Sequence, residues 1–299
     1  MVETARRGSR GNSADAGLSA CAGIVRSHDR DRFMTALVLP DDRREAVFAV
    51  YAFNHEVAKV ADAVSESLAG QIRFQWWSDM IAEAVSEGAL RHHEIATPLA
   101  ETIRRYNLDP APFQTLLRVR EAHVLAEDPQ PETLDALEMY AEETAATPFA
   151  IASAILNDGA PVPEADARAI RHMGRAWGLA GTIRAVPHLA RRRQCRLPAD
   201  LLAASDVDRG DVMEYRNPAG LADVVKRIAD RAAEHIGQAR QLRPWLSVGM
   251  PRLLAGCSLV DAHLRRVRQT GWNPFDPRLA HPPPLRVIPM MLRAWVSRY

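Results

Sequence analysis

Apolar residues along this chain recur at spacings of three and four, and no stretch alternates apolar and polar residues with a period of two. The first pattern lays a buried stripe along a helix, whereas a half-buried strand needs the second. From Asp41 to Val64 the stripe is Val47, Val50, Tyr51, Val57, Val60, Ala61 and Val64, opened by Pro40, Asp41 and Asp42. Proline and acidic residues at that end favour a helix start. Ile72, Trp76, Met80 and Ala84 predict a second helix over Leu68–Ser86. Further helices are predicted over Pro98–Tyr106, Pro110–Ala126 and Pro131–Leu156. Pro148 should kink the last of these, because proline lacks a donor and clashes with the preceding turn. A long helix covers Glu164–Ala190, with Pro187 bending its end, and others cover Leu221–Leu242, Arg252–Arg268 and Leu285–Arg298. Nothing between them reads as a hinge. The expectation is one all-α domain over residues 21–299, a helical bundle packed around a central space.

Composition narrows the function. The 299 residues carry 38 basic and 37 acidic side chains, a net charge of +1. Nucleic-acid binding ordinarily needs a basic excess, so no nucleic-acid partner is expected. Cys21, Cys195 and Cys257 form no CxxC pair and no metal-ligand spacing with histidine, which points to isolated apolar side chains in a reducing compartment. No apolar run reaches the roughly 18–20 residues that span a bilayer. The first twenty residues are rich in Arg, Ser, Gly and Ala but hold no apolar core. They are expected to be a disordered tail and not a secretory signal, and Glu3 and Asp15 count against a mitochondrial presequence.

The motifs are more specific. Between Arg26 and Asp62 lie Pro40-x-x-x-Arg44 and Tyr51-Ala52-Phe53. Gln75-Trp76-Trp77 and Tyr140 to Thr147 follow, then Met173-Gly174-Arg175-Ala176 running to Arg184, and Leu197-Pro198-Ala199-Asp200. In this order, over about Arg26–Arg268, the blocks resemble the squalene and phytoene synthases. The resemblance implies an isoprenoid-synthase-like bundle around a central cavity, and marks Arg44, Tyr51, Tyr140 and Arg184 as candidate binding residues. Trp76 and Trp77 are expected to be core and support residues.

Enzymes of that family ionise a prenyl diphosphate whose leaving group is held by Mg²⁺. Such a hard cation needs converging oxygen ligands, supplied by aspartates one turn apart on two facing helices. Here the first aspartate motif falls on Asn54 to Asp62. Ala58 and Lys59 stand where the paired aspartates belong, and Asp62 alone survives. The second falls on Arg184, Ala185, Val186, Pro187, His188 and Leu189, with Arg184 kept and every carboxylate gone. Lys59 at a ligand position would repel a divalent ion if it faced the site; alternatively it pairs with Glu56 or Asp62 along its own helix. His55 and His188 could hold a transition metal only if they met. No metal ligand is assigned, and no cofactor is expected unless a prenyl transferase activity persists, which would need Mg²⁺.

Arg191-Arg192-Arg193-Gln194-Cys195-Arg196 is the densest basic run. It suits a diphosphate, a lipid headgroup or an acidic partner, or else offsets the negative pole of a helix end. One branch of the family fits best, the mitochondrial respiratory complex I assembly factor with a phytoene-synthase-like fold. Phe53-Asn54-His55-Glu56, Arg184-Ala185-Val186-Pro187-His188 and the ending Trp295-Val296-Ser297-Arg298-Tyr299 resemble it. That resemblance implies a non-catalytic helper whose partners are complex I subunits or assembly factors. Its expected place is the cytoplasm, peripheral to the inner membrane, or the matrix in a eukaryote. The alternatives are a prenyl transferase acting on isoprenoid diphosphates and an isoprenoid- or lipid-binding protein.

Overall fold

The computed structural model describes residues 17–63, 67–86, 92–280, 285–296 and 299, without the side chains of 61–63 and 67. Among the described residues every regular element is a helix. The first two, α1 (Ala20–His28) and α2 (Arg30–Leu37), fall in a segment whose periodicity predicts none. Their signal is in the caps. Ser19 accepts from the Ala22 amide at 3.1 Å, and Asp29 accepts from the Arg32 amide at 3.1 Å. Each satisfies a backbone donor that the first helical turn leaves open.

The long α3 (Asp41–Ala63) runs through the first motif, with Val47, Val50, Tyr51, Phe53 and Val57 fully buried. Then come α4 (Ser67–Val85), α5 (Ala96–Arg105) and α6 (Ala111–Leu125), each within a few residues of its predicted span. The predicted Pro131–Leu156 helix is in three parts: α7 (Leu134–Ala141), a π-helical turn (Glu142–Ala146) and α8 (Thr147–Leu156). Pro148 accounts for the break, since it cannot donate to the carbonyl four residues earlier, and a wider turn absorbs the lost bond.

The central helix is α9 (Glu164–Arg191), which passes through Pro187 and packs on α7, the π turn, α8 and α12 (Leu221–Gln241). It comes very close to the π turn. A Cβ on Gly174 would sit 2.1 Å from the Ala146 Cβ, and one on Gly178 would sit 2.4 Å from the Ala141 Cβ. Between α9 and α12 lie the short α10 (Ala199–Ala204) and α11 (Arg209–Met213). The predicted Arg252–Arg268 helix is divided into α13 (Met250–Leu254) and α14 (Cys257–Gln269). Gly256 at the division lies against Thr35 and Trp177, with only 3.1 and 3.4 Å for a Cβ. Last is α15 (Val287–Trp295). All three cysteines are buried and free, and burial pushes the Cys21 and Cys257 thiols up to about 12. Residues 1–16 of the expected tail lie outside the described residues.

Candidate functional site

Helices α3 and α9 carry the two degenerate motifs and wall one cavity of about 480 Å³, completed by α2, α6, α7 and the π turn. Ala58 from the first motif and Arg184, Ala185, His188 and Leu189 from the second all line it, as does Tyr140. A hollow of about 630 Å³ elsewhere, among Leu108, Phe113, Ile151 and Val162, touches neither motif. Chemistry therefore places the site in the smaller space.

Other candidates fall outside it. Lys59 faces solvent and pairs with Glu56 at 3.3 Å, half exposed. This corrects the expectation that its charge opposes a metal in the site: one residue beyond Ala58 on a helix is about 100° round, which carries Lys59 off the cavity face. Asp62 lies in the last turn of α3, and its side chain is outside the described residues. Arg44 does not line the cavity; it bonds the Leu39 carbonyl at 2.9 Å and Asp41 at 2.8 Å, bracing the start of α3. Tyr51 is fully buried behind the wall, edge-on to Phe149. His55 stacks on His28 at 4.5 Å and does not line the cavity with His188. Arg191, Arg192 and Arg193 are exposed at the end of α9. Arg191 borders a neighbouring cleft that shares Arg184 and His188, and Arg193 pairs with Glu214 at 3.6 Å.

The cavity's charge comes from four arginines, of which the aspartate motifs mark only Arg184. Arg32, Arg120, Arg184 and Arg196 line it, and no aspartate or glutamate does among the described residues. Arg32, 7% exposed, is pinned by Asp29 at 2.8 Å and the Ala145 carbonyl at 3.2 Å. Its guanidinium lies 5.1–5.8 Å from the Phe149, Trp177 and Tyr51 rings, within cation–π range. Arg184 pairs with Asp31 at 2.9 Å, and Arg286 holds the other oxygen of that carboxylate at 2.6 Å.

Arg120 and Arg196 have no carboxylate within ion-pair distance among the described residues. Arg120 donates to the Tyr140 hydroxyl at 3.0 Å, and the Tyr140 ring lies 4.7 Å from that of His123. Burial, then Arg196 and Arg120, lower His123 to about 3, so it is neutral. Burial foremost, with Arg120 and Arg192, also lowers the Arg196 pKa. Sequence reasoning missed Arg32, Arg120 and His123, and it placed Arg196 in a basic run and at the head of the Leu197-Pro198-Ala199-Asp200 block without making it a cavity residue. Isolated on three separate segments, they form no motif.

This donor set does not fit Mg²⁺. A hard divalent cation needs converging oxygens, and the described lining offers guanidinium and imidazole groups instead. Nor is there a group of three His, Cys, Asp or Glu side chains placed to hold a metal ion among the described residues.

Two long helices facing across a cavity inside an all-helical frame define an isoprenoid-synthase fold. Solved structures agree: a dehydrosqualene synthase in complex with ligand superposes with a TM-score of 0.78, covering 92% of this chain and 94% of that one at 16% identity. The chain belongs to the squalene/phytoene synthase family, whose model matches residues 25–286. Within it, the chain is 29% identical to NADH dehydrogenase (ubiquinone) complex I, assembly factor 6 of Bos taurus, over 97% of this chain and 87% of the relative. The human protein of that name is 29% identical over 93% of this chain and 82% of its own. A presqualene diphosphate synthase of Rhodopseudomonas palustris is 26% identical over 73% of this chain and 76% of its own.

Proposed function

We propose that this chain is a non-catalytic helper in the assembly of respiratory complex I, with complex I subunits or other assembly factors as its partners. The observation that carries the reading is the nearly end-to-end match to the assembly factors, on a frame whose cavity is lined by no carboxylate among the described residues. A prenyl transferase is the second reading, supported by the presqualene diphosphate synthase match. The donor set counts against it, because ionising a diphosphate leaves charge that metal-bound carboxylate sites neutralise.

Its working position is peripheral to a membrane. No described helix is long and apolar enough to cross one. Helix α15 turns Ile288, Met291, Leu292 and Trp295 to solvent, with Leu285 just ahead of it. Residues 277–299 carry four arginines and no acidic residue. Arg278, Arg286 and Arg293 are held by Asp276, Asp31 and Asp261, so the exposed apolar face of α15 is what suits a bilayer surface.

Deleting the gene in its host and measuring assembled complex I and NADH:quinone oxidoreductase activity in membranes tests the reading. Both should fall and return on complementation. Normal complex I with altered squalene or carotenoid content would overturn it in favour of the enzyme.

A further inference from the structure

The cavity contains more positive charge than the protein itself offsets. Of its four arginines, Arg32 is paired with Asp29 and Arg184 with Asp31, while Arg120 and Arg196 have no carboxylate partner among the described residues. Buried N–H donors are ordinarily satisfied, and unsatisfied ones call for an explanation. Here Nε of Arg32, Arg120 and Arg196 all lack a partner, and so does Nε2 of His123. The four residues that carry these nitrogens all line the one cavity. Its remaining wall is apolar, from Val57, Val124, Leu137, Trp177 and Leu189.

We propose that the cavity binds a single-chain lipid phosphate, with its head group held directly by Arg120 and Arg196, without a divalent ion, and its chain along the apolar wall. Two uncompensated cations match a phosphomonoester, which carries close to two negative charges at neutral pH. The guanidinium fork fits phosphate oxygens in a way that an ammonium does not. A diphosphate carries more charge than two arginines offset, and a neutral lipid leaves every donor open. Tyr140 anchors Arg120, and neutral His123 offers a ring nitrogen to the same head group. At about 480 Å³ the space is of small-molecule size. The proposal shares with the assembly reading the loss of metal ligands, but it does not depend on the complex I role.

The test titrates the purified full-length protein in EDTA with farnesyl phosphate, dodecyl phosphate, farnesol and inorganic phosphate, following Trp177 and the other tryptophans by fluorescence. Both lipid phosphates should bind saturably, at least about tenfold more tightly than farnesol, given the worth of charged hydrogen bonds, and added Mg²⁺ should not tighten them. Preference for farnesyl over dodecyl phosphate would name an isoprenoid source for the ligand, and the reverse an alkyl or acyl source. Arg120→Gln and Arg196→Gln should each weaken binding about tenfold. Gly181→Leu, built where a Cβ meets nothing within 4 Å, should block the cavity with every arginine in place, and decides the matter should the arginine variants fail to fold. Farnesol binding as tightly as the phosphates, Mg²⁺-dependent binding, or unchanged affinity in folded variants would overturn the proposal. No binding alongside lost complex I on gene deletion would sink the ligand and leave the assembly role. Binding with normal complex I would do the opposite.

Discussion

The tight packing of α9 on its neighbours hangs on glycines. Gly174 and Gly178 let that helix press against Ala146 and Ala141, whereas Gly181, one turn on, has open space in the cavity wall. Gly174→Ala should destabilise the protein by about 1–3 kcal/mol through overpacking. Gly181→Ala should stabilise it by about 0.5–1 kcal/mol, as alanine does in a helix interior. Urea titration of the two variants checks the contrast, and equal midpoints would contradict it. Legibility at this scale was uneven. Ala58, Ala185 and Leu189 could be placed from motif alignment because helical spacing fixes which face each occupies. Lys59 could not, since the motif names a position but not the angle from which the side chain leaves the helix. Arg32, Arg120 and Arg196 were invisible as a group because only tertiary packing brings α2, α6 and the loop after α9 together.

Among the elements, the long helices α3, α4, α6, α9 and α12 were legible because apolar residues recur at helical spacing over many turns. The misses have local causes. Caps at Ser19 and Asp29 define α1 and α2 without a long stripe, Pro148 opens a π turn, and Gly256 interrupts an otherwise regular pattern. Helix α15 was predicted as an element, but its exposed apolar face emerges only from what packs beneath it: Met290 and Ala294 face inward. If that face meets the membrane, Leu292→Asp with Trp295→Asp should lower cosedimentation with anionic vesicles several-fold and leave the melting temperature nearly unchanged, because both side chains are already exposed. The triple change of Arg191, Arg192 and Arg193 to Ala should have the smaller effect, confined to low salt where screening is weakest. A larger loss from the arginines than from α15 would move the membrane face to the end of α9.

At the scale of the whole molecule, three partly or wholly buried histidines couple the fold to pH. Burial first lowers each: His123 to about 3, His172 to about 4 with help from His235, and His263 to about 4 with help from Arg184 and Arg286. An unfolded histidine titrates near 6.5, so the unfolded chain takes up protons before the folded one. The stabilisation is therefore complete above about pH 6.5 and is lost as the pH falls toward 4. Melting temperature should decline steadily from pH 7 to pH 4. A flat profile over that window would show that these rings are not held neutral in the fold.

The proposal of a prenyl-synthase frame without ionisation chemistry rests on a cavity lined by arginines and, among the described residues, by no carboxylate. The most direct measurement is pyrophosphate release from farnesyl or geranylgeranyl diphosphate by the purified protein in Mg²⁺. Release should not exceed that of a heat-killed control, and no C30 or C40 hydrocarbon should form. Sustained release with such a product would contradict the account.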